Sequence, residues 1–118
     1  MDPRIEKLAR GLVRYSCNVQ KGEKVYIHYT GMTTKDLARQ LIKEVYEAGG
    51  LPFAHYTDPQ IQRELLLKAD EEQIKLMAQV DAMEMAQMDC YIAIRGADNV
   101  SELSDVPSEK MEMYDKYY

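Results

Sequence analysis

Two short segments of this sequence nearly repeat each other, and each carries a histidine. They are Tyr26-Ile27-His28-Tyr29-Thr30 and Phe53-Ala54-His55-Tyr56-Thr57. If they are neighbouring strands in matching register, His28 and His55 point to one face, about one strand spacing (~4.8 Å) apart. Two imidazoles so placed can share a metal ion or a proton. A zinc site wants three or four ligands, and the sequence sets no carboxylate or thiolate beside this pair. The alternative is two strand-end histidines hydrogen-bonded to backbone or water. A second candidate group is Thr30, Gly31 and Met32 after one apolar run, with Arg95, Gly96, Ala97 and Asn99 after another. In an open parallel sheet, ligands bind past the carboxyl ends of the strands, where the strand order reverses. These residues would line that crevice. The alternative is that Gly31 and Gly96 are turn glycines and Arg95 a solvated charge.

The elements that must position these groups follow from pattern. Val25–Tyr29 is a short apolar run. An amphipathic segment follows to Ala48, then Gly49-Gly50, then a second run, Leu51–Tyr56. Run, helical period, run is the pattern of a strand–helix–strand unit with parallel strands. The first strand is apolar on both faces, as expected when helices cover both sides. Leu37, Leu41, Val45 and Ala48 mark the buried face of the helix, with Thr33 or Thr34 as its cap and Gly49 or Gly50 as its left-handed stop. Pro52 suits the start of a strand or an edge strand.

Upstream, Asp2 and Pro3 make a favourable cap and first position. Ile5, Leu8, Ala9, Leu12 and Val13 then form one stripe of a helix that fades near Ser16. Asp58-Pro59 repeats that start, with Ile61, Leu65 and Leu66 as anchors. Asp70 with Gln73 resembles a capping box opening a further helix through Ile74, Met77, Ala78, Ala82 and Met85. Its dense methionines read as core filling, or as a partner surface if exposed. Cys90–Ile94 is the third strand. A last helix starts at Pro107 or Ser108, with Met111, Tyr114 and Tyr118 on one side. The expected fold is a small three-layer α/β/α domain with a parallel three-stranded sheet in order 2-1-3. Three strands leave two open edges, so the chain is expected to be a piece of something longer.

The 118 residues fit one domain spanning 1–118. A formal net charge of −5 argues against a general nucleic-acid or anionic-membrane surface. No apolar run reaches the ~20 residues of a membrane span, and no apolar signal segment opens the chain. Cys17 and Cys90 leave a single disulfide open, but they form no framework or zinc pattern; cytoplasm is the expected compartment. Dinucleotide binding wants G-x-G-x-x-G after the first strand, and Tyr29-Thr30-Gly31-Met32-Thr33-Thr34 has one glycine. A Walker phosphate loop is absent. A phosphate-accepting receiver domain needs an aspartate ending the third strand, where Ile94-Arg95-Gly96 stands.

A family resemblance runs over essentially the whole chain. Arg10-Gly11-Leu12-Val13-Arg14-Tyr15-Ser16, Lys21-Gly22-Glu23-Lys24-Val25 and Ala48-Gly49-Gly50 resemble the opening of the thermophilic-type metallo-aminopeptidases, family M29. Ile94-Arg95-Gly96-Ala97-Asp98-Asn99 with Leu103, Pro107 and Lys110 resembles the segment that follows in those enzymes. The order and spacing of several weak motifs carry the likeness. The resemblance implies a longer parent whose second domain holds a centre of two divalent metal ions, of zinc or cobalt type. It implies peptide substrates cut at the N-terminus, and a homodimer. His28 and His55 do not match the family's ligand positions, so no catalytic or metal residue is carried over. The expectation is an N-terminal domain, inactive alone, that packs on the catalytic domain and walls the substrate cavity. Thr30, Gly31, Arg95, Gly96 and Asn99 are the candidates for that wall. The alternative is a free-standing α/β module that binds a small ligand at the switch point or a partner at its sheet edge.

Overall fold

In the computed structural model, which describes residues 2–96, the chain opens as the sequence predicts. Helix α1 spans Pro3–Gly11, and the Asp2 carboxylate accepts the Arg4 amide at 2.8 Å. Pro3 fits there because its missing N–H would have no helical partner in the first turn. A wide π-turn, Leu12–Ser16, prolongs the helix. Ala9 and Val13, four residues apart, are fully buried.

Strand β1 (Lys24–Thr30) is followed by a 3-10 turn (Met32–Thr34), α2 (Lys35–Glu47) and β2 (Leu51–Thr57). Next come α3 (Pro59–Leu67), α4 (Glu71–Met85) and β3 (Cys90–Arg95). The sheet order is β2-β1-β3 and both pairings are parallel. The fold class is therefore the expected one, with β1 in the centre. Pro52 lies near the start of edge strand β2, where its missing donor disturbs no inner ladder.

Alternation along the strands sorts the two faces. Val25 and Ile27 of β1 and Ile92 of β3 pack with Ala9, Val13, Val19, Leu41 and Val45 into one core under α1 and α2. Between those helices Glu44 is buried, with Arg10 Nε 3.7 Å away and Gln40 Nε2 donating to it at 3.4 Å. The other face carries Tyr26, and α4 lies over it: Glu84 of α4 meets His55 of β2. Helices on both faces make the three layers.

The two glycines after α2 do different work. Gly49, at φ +83°, makes the left-handed stop. Gly50 is buried where a Cβ would lie 2.8 Å from Val19 Cγ1 and 2.9 Å from Val45 Cγ1. Thr34 begins α2, but its hydroxyl donates to the Gly31 carbonyl at 2.7 Å and makes no side-chain cap.

The C-terminal helices depart from the expected anchors. In α3 Leu66 is buried while Ile61 and Leu65 are exposed. In α4 Ile74 and Ala78 face inward, whereas Ala82 and Met85 are exposed. Leu76, Val80 and Met83 are also open, at 60%, 56% and 68% exposure. The reason is that α4 is apolar around most of its circumference, so periodicity alone does not select the buried face. The helix expected from Pro107 or Ser108, together with Ala97 and Asn99, lies outside the described residues.

Candidate functional site

The register sets His28 directly opposite His55, as the near-repeat predicts, and opposite Ala93 on the other side. Two residues on, Thr30 lies between Thr57 and Arg95. Backbone bonds tie this rim together. The Gly31 amide donates to the Thr57 carbonyl at 3.2 Å, and the Gly96 amide to the Thr30 carbonyl at 2.9 Å. Thr30, Gly31, Arg95 and Gly96 are therefore brought to one end of the sheet, at the reversal of strand order between β1 and β3.

The two histidines turn to different partners. His28 Nε2 shares a hydrogen bond of 2.6 Å with the Thr57 hydroxyl. His55 Nε2 meets the Glu84 carboxylate. Tyr26 stands between the edge strands as the centre of a ring stack. Its ring centroid is 5.1 Å from that of His55 and 5.3 Å from that of Tyr91, both near-parallel, and 6.5 Å from His28 edge-on.

Electrostatics follow from this packing. Burial first, then the charges of Arg95 and His55, hold the His28 pKa below the ordinary imidazole value, against an opposing pull from Asp81. His28 is thus a neutral imidazole at neutral pH. Burial first, then Asp81, Glu84 and Tyr91, push the Tyr26 hydroxyl up to about 12. Arg95 has no carboxylate within ion-pair distance among the described residues.

Among the described residues no three His, Cys, Asp or Glu side chains converge to hold a metal ion. With His28 on Thr57 and His55 on Glu84, these residues do not fit a two-metal centre. The rim can instead offer a hydrogen-bonding neutral imidazole, hydroxyls and one guanidinium, a set suited to carboxylate or amide groups. Sequence reasoning missed Glu84, Asp81, Thr57 and the Tyr26–Tyr91 stack. Met77, Asp81 and Glu84 recur at helical spacing, and that was the signal placing both carboxylates on one side of α4.

Comparison with known proteins supplies the context for this rim. The family model for thermophilic metalloproteases (M29) matches residues 1–118. Among solved structures, wild-type AmpT from Thermus thermophilus matches with a TM-score of 0.70 and 27% sequence identity. The match covers 96% of this chain and 29% of that one, so the chain spans less than a third of its structural relative. No curated protein matches. Among the described residues no helix is long and apolar enough to cross a membrane.

Proposed function

The chain belongs to the thermophilic metalloprotease family M29, and we propose from that membership that it is the N-terminal, non-catalytic part of a metal-dependent aminopeptidase. In this reading the full-length enzyme removes N-terminal residues from peptides with two divalent metals held elsewhere. It works as a homodimer in the cytoplasm. The present residues scaffold the catalytic domain and wall its substrate cavity.

The observation that carries the reading is a family match over the whole chain together with coverage of only 29% of the AmpT chain. The rim residues Thr30, Gly31, Arg95 and Gly96 suit the wall, because a guanidinium and hydroxyls can hold a peptide's carboxylate or amides without reacting. Asn99 belongs to the same proposed wall. The apolar side of α4, with Leu76, Val80 and Met83 exposed, is surface that a catalytic domain of the same protein would cover.

The test is an aminoacyl-nitroanilide assay on the purified chain with added cobalt or zinc. No turnover is expected. Metal-dependent turnover by the pure chain would overturn the reading. Calorimetric titration of the same metals should give no stoichiometric binding; binding lost in His28→Ala or His55→Ala would make the histidine pair a site in its own right.

A further inference from the structure

We propose that Cys17 and Cys90 form a modification site, a thiol pair that closes to an intramolecular disulfide by exchange with a low-molecular-weight disulfide such as oxidised glutathione. The fold brings them together from opposite ends of the described chain. Cys90 is the first residue of β3 and pairs with Val25. Strand alternation sets it on the same face as Ile92, the face covered by α1 and its π-turn. Cys17 closes that π-turn, its amide donating to the Leu12 carbonyl at 2.9 Å. It follows Ala9 and Val13 at steps of four and so continues their stripe. Both cysteines pack against the same core cluster. The Cys17 side chain is a close enough neighbour to act on the Cys90 thiol, and both cysteines are free and partly exposed to solvent.

The two sulfurs are not equivalent. Burial first, then the neighbouring Cys17 side chain, push the Cys90 thiol up to about 12, which keeps it protonated at neutral pH. Exchange therefore begins at Cys17. Its thiolate attacks one sulfur of the small disulfide and expels the other as a thiolate, which takes up a proton. Cys90 then gives its proton to solvent, attacks Cys17 Sγ and releases the second small thiol. Two protein thiols are oxidised to one S–S bond, and the reagent's S–S bond is reduced to two thiols. The bond would tie the turn after α1 to the start of β3 and close a loop of roughly 70 residues around the rest of the sheet.

The experiment equilibrates the 118-residue chain with mixtures of oxidised and reduced glutathione. The expected product is a monomer lighter by two hydrogen atoms, with a peptide map joining the Cys17 and Cys90 peptides. It should melt on the order of 10 °C above the reduced chain and revert with dithiothreitol. Cys90→Ser should stop at one glutathione on Cys17. Cys90→Ala, which keeps the buried position apolar, repeats that test if the serine variant does not fold. Disulfide-linked dimers as the sole product, or glutathione on both cysteines at saturation, would overturn the proposal. So would a chain whose two thiols stay free in fully oxidised glutathione.

Discussion

Gly50→Ala should destabilise the protein although it adds one methyl group to an apolar site. The new Cβ would stand 2.8 Å from Val19 Cγ1, 2.9 Å from Val45 Cγ1 and 3.2 Å from the Glu23 carbonyl oxygen. Relaxed carbon–carbon contact needs about 3.5–4.0 Å, so each valine must retreat by most of an ångström. Neither has room. Val45 is fully buried in the core, Val19 nearly so, and the Glu23 carbonyl accepts the Leu51 amide at 2.7 Å where β2 begins. Overpacking of this kind costs about 1–3 kcal/mol, a large share of a total of about 5–15 kcal/mol. Gly11→Ala is the control with the opposite sign. Its backbone is helical and its added Cβ meets nothing within 4 Å, so it should stabilise by about 0.5–1 kcal/mol. Urea unfolding followed by circular dichroism separates the two. With a slope of about 1–3 kcal/mol per molar urea, the Gly50→Ala midpoint should fall by roughly 1 M. A midpoint at or above wild type, with an unchanged slope, would mean that Val19 and Val45 can make room for the methyl group.

Ile27→Asp should abolish cooperative unfolding, because it puts an unpaired carboxylate at a fully buried position of the central strand, at a cost of several kcal/mol; a melt near the wild-type temperature would place Ile27 outside the core. His28 should titrate by NMR below the ordinary imidazole value. Since the unfolded chain binds that proton first, stability should be present above about pH 6.5 and fall as pH drops toward the lowered folded value; His28→Gln should flatten that slope, and an unchanged slope would remove His28 as its source. Tyr26 works at the alkaline end: its raised pKa means that its contribution holds below pH ~10 and is lost as pH rises toward about 12, which tyrosinate absorbance and Tyr26→Phe would show. Asp70→Ala should cost α4 about 1 kcal/mol, since its carboxylate accepts the Gln73 amide at 2.8 Å; a midpoint within error of wild type would mean the cap contributes nothing.

The strand–helix–strand nucleus was legible because its signals are local. The apolar runs at Val25–Tyr29 and Leu51–Tyr56, the period of α2 and the caps at Asp2, Asp58 and Asp70 act over a few residues and agree with one another. The register of His28 with His55 was legible from the near-repeat of Tyr26–Thr30 and Phe53–Thr57, which sets like residues side by side when the two strands pair in phase. The buried face of α4 was not legible. Leu76, Val80 and Met83 are as apolar as Ile74 and Ala78, and only docking on the sheet distinguishes them.

The elements and their layers were readable from local periodicity and caps, which are properties of neighbouring residues, and the end of β1 and β3 where Thr30, Gly31, Arg95 and Gly96 meet followed from the expected parallel order. The chemistry of that rim came from the docking of the elements. Glu84 against His55, Thr57 on His28, Tyr26 stacked between His55 and Tyr91, and Cys17 beside Cys90 all join residues far apart in the chain. Side-chain partnership and desolvation depend on how whole elements dock, and no local pattern encodes that.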